Sequence, residues 1–348
     1  EAAPAQETLG FADMAQSSST RSGAALPWVE KYRPKSVDDV SHQGEVVASL
    51  RNVIASKNLP HLIFYGPPGT GKTSTILAAA RQLFGAEYHS RVMELNASDE
   101  RGIAVVRNKI KSFAQVAVSA SFGPDAPAPY KLIVLDEADS MTTDAQSALR
   151  RTMETYSKVT RFCIICNYIS RLIPPIASRC AKFRFKALPH DAMVSRLQHI
   201  AEQEGVTVGQ DALVELTRQS EGDMRRAIGM LQSLHQLSGG EVLPGAVLDI
   251  SGALPPERLT LIFDVCRQSD FNAMQAVVDD LLADGYPVAQ LLAQMLEELV
   301  SPHMGFSSMQ MAKVACQLAI VDKQLVDGAD DYVQLMNLLA FCMREMRA

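Results

Sequence analysis

The chain has 348 residues, too many for one compact core of ordinary size, so two or three domains are expected. Hydrophobic residues make up 47% and charged residues 21%, a globular composition, and no uninterrupted apolar run reaches the roughly 18 residues that would span a bilayer. A net charge of −6 argues against nonspecific coating of nucleic acid; residues 251–348 hold 13 acidic and 6 basic side chains, net −7, so any nucleic-acid surface belongs to the first 250, at about +1.

Residues 1–26 are rich in Ala, Ser, Gln and Thr, lack apolar periodicity and include Glu1, Glu7 and Asp13. They read as a flexible tail, with neither the arginine-rich character of a transit peptide nor a secretory apolar region. Over 27–187, apolar strands alternate with helical stretches: His61–Tyr65, Val92–Leu95, Lys131–Leu135 and Arg161–Ile165. Short, nearly continuous apolar strands separated by helices imply an α/β core, a parallel sheet covered on both faces. The six cysteines are scattered without the spacing of a disulfide framework, which points to a reducing compartment. Cys163 and Cys166 form a CxxC within a β-branched run that lacks a second ligand pair, so they read as buried strand thiols rather than zinc ligands. From Leu188 to 248 the pattern turns amphipathic and helical, with Ala212, Leu213 and Leu216 on one face. Gly239-Gly240 and Pro244-Gly245 then introduce an all-helical third domain over 249–348, whose Leu and Met stripes, such as Leu291–Met295, read as core or subunit interface.

Gly66-Pro67-Pro68-Gly69-Thr70-Gly71-Lys72-Thr73 fits GxxxxGK[ST], follows an expected strand and precedes an expected helix that begins at Ser74. Glycines let the backbone wrap phosphate oxygens, Lys72 bridges the β- and γ-phosphates of ATP, and the Thr73 hydroxyl can hold Mg²⁺. The strand 132–135 ends in Asp136 and Glu137, where its C-terminal end faces the phosphate loop. Asp136 would organise Mg²⁺ and its waters, and Glu137 would polarise the attacking water; the other reading of nearby Asp139 is structural.

Four further segments narrow the family: Pro27–Pro34 (PWVEKYRP), Glu94–Gly102 (ELNASDERG), Ser178-Arg179-Cys180 and Gly222-Asp223-Met224-Arg225. With the phosphate loop they resemble the AAA+ ATPases, and among these the small subunits of replication factor C, the eukaryotic sliding-clamp loader, most closely the second or fourth. The match runs by motif from Leu26 to about Leu237 and by length and composition beyond. The resemblance implies an AAA+ α/β core, a small helical lid and an all-α collar. It assigns Val29 and Arg33 to the adenine side, Asn167 to the first sensor and Arg225 to the second, with Arg226 as a solvated neighbour. Arg179 would act in trans, on ATP held by an adjacent subunit, and Asn96 would turn Glu137 away until DNA binds.

Arg101, Arg107, Lys109 and Lys111 fall in an expected helix, with Arg107 and Lys111 four apart on one face. In the family the corresponding helix tracks the template strand through its phosphates, which fixes position without reading sequence. The implied partners are other replication factor C subunits, the sliding clamp PCNA and primer-template DNA, in the nucleus and away from membranes. Two rival readings are an ATP-holding scaffold subunit that does not hydrolyse, and an AAA+ remodeller or helicase that grips DNA directly.

Overall fold

Strands that are apolar along most of their length need cover on both faces. In the computed structural model, which describes residues 26–40, 43–98, 103–116, 128–238, 242–301 and 306–346 (backbone alone at 103–107 and 238), they build one parallel sheet. Its strands are β1 (Leu62–Tyr65), β2 (Val92–Asn96), β3 (Lys131–Asp136), β4 (Thr160–Cys166) and β5 (Ala181–Arg184), in the order β2-β3-β4-β1-β5. Alternate residues feed two separate cores. Leu62, Phe64, Leu132 and Val134 pack with Leu50 of α2 (Gly44–Ser56) and Ile76 of α3 (Lys72–Phe84). Ile63, Ile133, Leu135 and Phe162 pack with Ile110 of α5 (Ile103–Gln115) and with Leu149 and Met153 of α6 (Thr143–Tyr156). The four expected strands differ from the observed ones only at their ends, and α3 begins at Lys72 rather than Ser74.

The fifth strand, β5, is not visible in the sequence. It is four residues long, lies at the sheet edge and exposes Lys182 and Arg184, so it lacks the apolar run by which the others are read. Charges at such positions suit an edge that must not recruit further strands.

A third core unites α8 (His190–Glu204), α9 (Gln210–Gln219), α10 (Met224–Ser238) and α11 (Pro244–Ser251) around Leu197, Leu216 and Leu231, with Ala212 and Leu213 buried as expected. The short α1 (Trp28–Lys31) joins this helical core rather than the sheet. The Trp28 ring stacks on His235 with centroids 5.5 Å apart, and its backbone N–H donates to Gln232 Oε1 at 3.0 Å. Lys31 and Tyr32 both donate to Glu204, at 2.6 and 2.5 Å. A fourth core is built by α12 (Pro256–Gln268), α13 (Phe271–Ala283), α14 (Val288–Val300), α15 (Ser308–Val326) and α16 (Asp331–Met346) with Leu254 before them, and has Leu291, Leu292 and Met295 among its buried residues. Asp270 caps α13, and a Ser307–Gln310 capping box opens α15. Among the described residues no helix is long and apolar enough to cross a membrane. The tail over 1–26 lies, but for Leu26, outside the described residues.

Candidate nucleotide site

The loop after β1 depends on glycine at two positions. Gly66 has φ 143°, and a Cβ there would stand 2.1 Å from the Phe185 carbonyl oxygen. Gly69 has φ 65°, and a Cβ would stand 1.7 Å from Asp223 Oδ1, so the helical unit presses directly on the loop. The chain then enters α3 through Gly71, which places buried Lys72 and Thr73 in its first turn and aims the helix N-terminus at the loop. Lys72 Nζ donates to the carbonyls of Gly66 and Pro67 at 2.8 and 2.7 Å and to Asn167 Oδ1 at 3.0 Å. Burial pulls its pKa below the usual lysine value; Asp136 opposes that shift and Arg225 adds to it. Thr70 Oγ1 donates to Pro67 O at 2.9 Å, and Pro67 and Pro68 are exposed at the rim.

Asp136 closes β3 beside this loop, and Thr73 Oγ1 donates to its Oδ2 at 2.6 Å. A hydroxyl and a carboxylate at that separation, facing a loop shaped for phosphate, fit a hard cation that takes few protein ligands and completes its shell with phosphate and water. Among the described residues no three His, Cys, Asp or Glu side chains converge as a metal cluster. Cys163 and Cys166 are free thiols buried in β4, and burial pushes Cys166 up to about 12.

Glu137 is exposed and holds a left-handed backbone, φ 52° and ψ 38°, with its N–H on Asp136 Oδ1 at 2.9 Å. A non-glycine residue in that region is rare and gathers at functional sites. Asn96 lies in register with Asp136 on the neighbouring strand, and its Oδ1 accepts from Ser98 N and Oγ at 3.0 and 2.9 Å. Asn167 follows β4, and the loop that carries it is fixed by Asp139 Oδ2, which accepts from Asn167 N at 3.2 Å and Tyr168 N at 3.3 Å. Asp139 therefore does the structural work left open for it.

Val29 and Arg33 line a cleft together with Gly69, Thr70, Gly71, Ser74, Arg196, Met224 and Arg225. Glu30 pairs with Arg33 at 2.6 Å, and Arg226 lies 3.8 Å from Glu221, apart from the cleft lining.

Three further residues support the site and the elements around it through contacts that only the folded chain displays. Asp223 Oδ1 caps the first turn of α10 through the N–H groups of Arg225 and Arg226, at 2.8 and 3.2 Å, and so fixes the turn whose Arg225 lines the cleft; the acid-before-helix pattern is its available signal. Arg196, on α8, donates to the Tyr32 carbonyl at 2.9 Å and had no local signal. Buried Gln146, on α6, bonds Met141 O, Arg171 O and Ile173 N at 3.2, 3.0 and 2.8 Å, and nothing in its sequence surroundings marks it.

Arg179 follows α7 (Pro174–Ala177) and is exposed; its partners are Glu154 of α6 and the Pro175 carbonyl rather than its own phosphate loop. Lys111 of α5 lines a polar groove with Asp144, Ser147, Arg151, Thr152, Thr155 and Tyr156. Arg107 falls within α5, but its side chain, like all of Arg101, lies outside the described residues.

Family models place "ATPase family associated with various cellular activities (AAA)" on residues 62–188, "RCF1/5-like, AAA+ ATPase lid domain" on 195–235 and "Replication factor C C-terminal domain" on 254–341. The chain is 54% identical over 318 residues to replication factor C subunit 4 of Arabidopsis thaliana, covering 90% of this chain and 94% of that one. It is 52% identical over 325 residues to replication factor C subunit 2 of Oryza sativa, covering 93% and 96%. A solved Thermotoga maritima RuvB Holliday junction branch migration motor shares the fold at TM-score 0.50 and 17% identity, over 75% of this chain and 90% of that one.

Proposed function

The chain belongs to the replication factor C subunit family, and from that premise we propose that it is an ATP-driven subunit of a sliding-clamp loader. The observation that carries this reading is the junction of Lys72, Thr73 and Asp136 under a helical lid whose Asp223 bears on Gly69, in one chain with a replication factor C C-terminal region. We divide the chain into a tail (1–26), an AAA+ core (27–187), a lid (188–248) and a collar (249–348) that holds the subunit in a ring with its relatives.

In this reading Val29 and Arg33 flank the adenine. The loop Gly66–Thr73, with Ser74, wraps the phosphates, and Lys72 neutralises the charge that grows on them. Thr73 and Asp136 would hold Mg²⁺, partly through water, and the ion would supply Lewis-acid polarisation of the phosphate oxygens. Glu137 accepts a proton from the attacking water, and Asn167 orients that water or the γ-phosphate. Arg225 reaches the γ-phosphate from the lid and so ties nucleotide state to lid angle, while Asn96, one strand over, restrains Glu137 until DNA engages. Arg179 serves the ATP of an adjacent subunit, since a planar, permanently charged guanidinium suits a phosphoryl transition state. Arg101, Arg107 and Lys111 follow the template backbone of primer-template DNA, and the ring opens the clamp PCNA in the nucleus.

The test is ATP-dependent loading of labelled clamp onto primed circular DNA by a complex reconstituted with this chain. Replacing Lys72 by Ala in this chain alone is expected to reduce loading strongly. Undiminished loading would show that its ATP site does not drive the complex.

A further inference from the structure

An arginine that must meet phosphate on another molecule gains from being held in one orientation, because a long exposed side chain otherwise samples many rotamers. Arg179 is held at both ends of its fork: Nη2 lies 2.7 Å from Glu154 Oε1, and Nη1 donates to the Pro175 carbonyl at 2.7 Å. The two anchors come from separate elements, α6 and the short helix α7, so they fix the guanidinium plane as well as its position. Arg150, one turn before Glu154 on α6, places Nη1 3.9 Å from the same carboxylate oxygen. One carboxylate between two guanidinium groups leaves the cluster with a net positive charge, so it still attracts phosphate. Pairing at two of five N–H donors leaves the others free to bond it.

We propose that Glu154 is a positioning residue for catalysis in trans: it holds Arg179 ready for the nucleotide of the adjacent subunit. The proposal rests on the reading of Arg179 as a trans-acting residue. It is separable from a stabilising role because Glu154 and Arg179 are 42% and 40% exposed, and ion pairs at that exposure contribute little to folding. Loss of Glu154 therefore acts on rate and leaves the fold intact. Glu154 also joins the trans residue to α6, whose Ser147, Arg151 and Thr152 line the groove beside Lys111.

The experiment is steady-state ATP hydrolysis by the reconstituted complex with clamp and primed DNA, comparing Arg179→Ala, Glu154→Ala, Glu154→Gln and the double variant Glu154→Ala with Arg179→Ala. The rate lost in Arg179→Ala defines the Arg179-dependent part. Glu154→Ala is expected to lower that part about tenfold through kcat, with KM for ATP within about twofold. Glu154→Gln, whose amide oxygen still accepts from the guanidinium, should recover most of it. The double variant should match Arg179→Ala alone, because residues acting as a unit are not additive. An unchanged rate in Glu154→Ala, or a further fall in the double variant, would overturn the positioning role. An unchanged rate in Arg179→Ala would instead remove the trans reading itself, and the positioning role with it.

Discussion

Lys72 meets three oxygens, from Gly66, Pro67 and Asn167, so its ammonium is oriented by the protein at the mouth of the phosphate loop. Lys72→Ala should weaken ATP binding on the order of 100-fold by calorimetric titration, the loss expected for a charged, pre-oriented contact in a low-dielectric site. Glu137→Gln separates binding from chemistry. It keeps the shape and removes the base, so nucleotide affinity should hold within about threefold while hydrolysis falls by roughly 10²–10⁴ in single-turnover assays. Gln146→Leu leaves the Met141 and Arg171 carbonyls and the Ile173 N–H without their side-chain partner, and should cost about 2–4 kcal/mol in denaturant unfolding. The residues of the phosphate loop and the Asp136–Glu137 pair were legible in the sequence because their chemistry is encoded within a few consecutive positions. Gln146, Arg196 and Glu154 were not, because each acts on a group 25 or more residues away, and only the folded chain brings those groups together.

Among the elements, strands with an apolar run and helices with an amphipathic period are legible in the sequence, whereas β5 and α1 are not. β5 escaped because an exposed edge strand buries little, and α1 because its docking partners, Gln232, His235 and Glu204, lie far along the chain. The entry to β1 carries a pH-sensitive contact. His61 Nδ1 accepts from Phe162 N at 3.2 Å, and burial, aided by Arg161, lowers the imidazole pKa from 6.5 to about 4. The folded state therefore binds fewer protons than the unfolded chain between those values. The stability this gives is present above 6.5 and is lost as pH falls toward 4. Allowing for partial solvent screening, the loss should be about 1–2 kcal/mol. His61→Gln, an acceptor that does not titrate, should flatten the fall in unfolding free energy across that window, and an equally steep fall in the variant would assign it to other groups.

At the scale of the whole molecule, four cores join into a chain whose nucleotide cleft lies between sheet and lid and whose Arg179 pairs away from its own phosphate loop. A chain built this way should hydrolyse ATP slowly alone and faster beside a neighbour. In the proposed reading DNA contact falls to the sheet end of the molecule rather than to the acidic C-terminal region, net −7; there Lys111 and Arg151 line one groove with Asp144. Lys111→Ala should weaken primed-DNA binding by the complex and reduce the salt dependence of affinity by roughly one phosphate contact, without changing sequence preference.

The most direct measurement is ATP hydrolysis by the reconstituted complex, with and without clamp and primed DNA, for the native chain and for Arg179→Ala. Clamp and DNA should raise the rate for the native chain, and the raised rate should fall in the variant while this chain still binds ATP. A rate that clamp and DNA leave unmoved, and that Arg179→Ala does not lower, would contradict the proposed function.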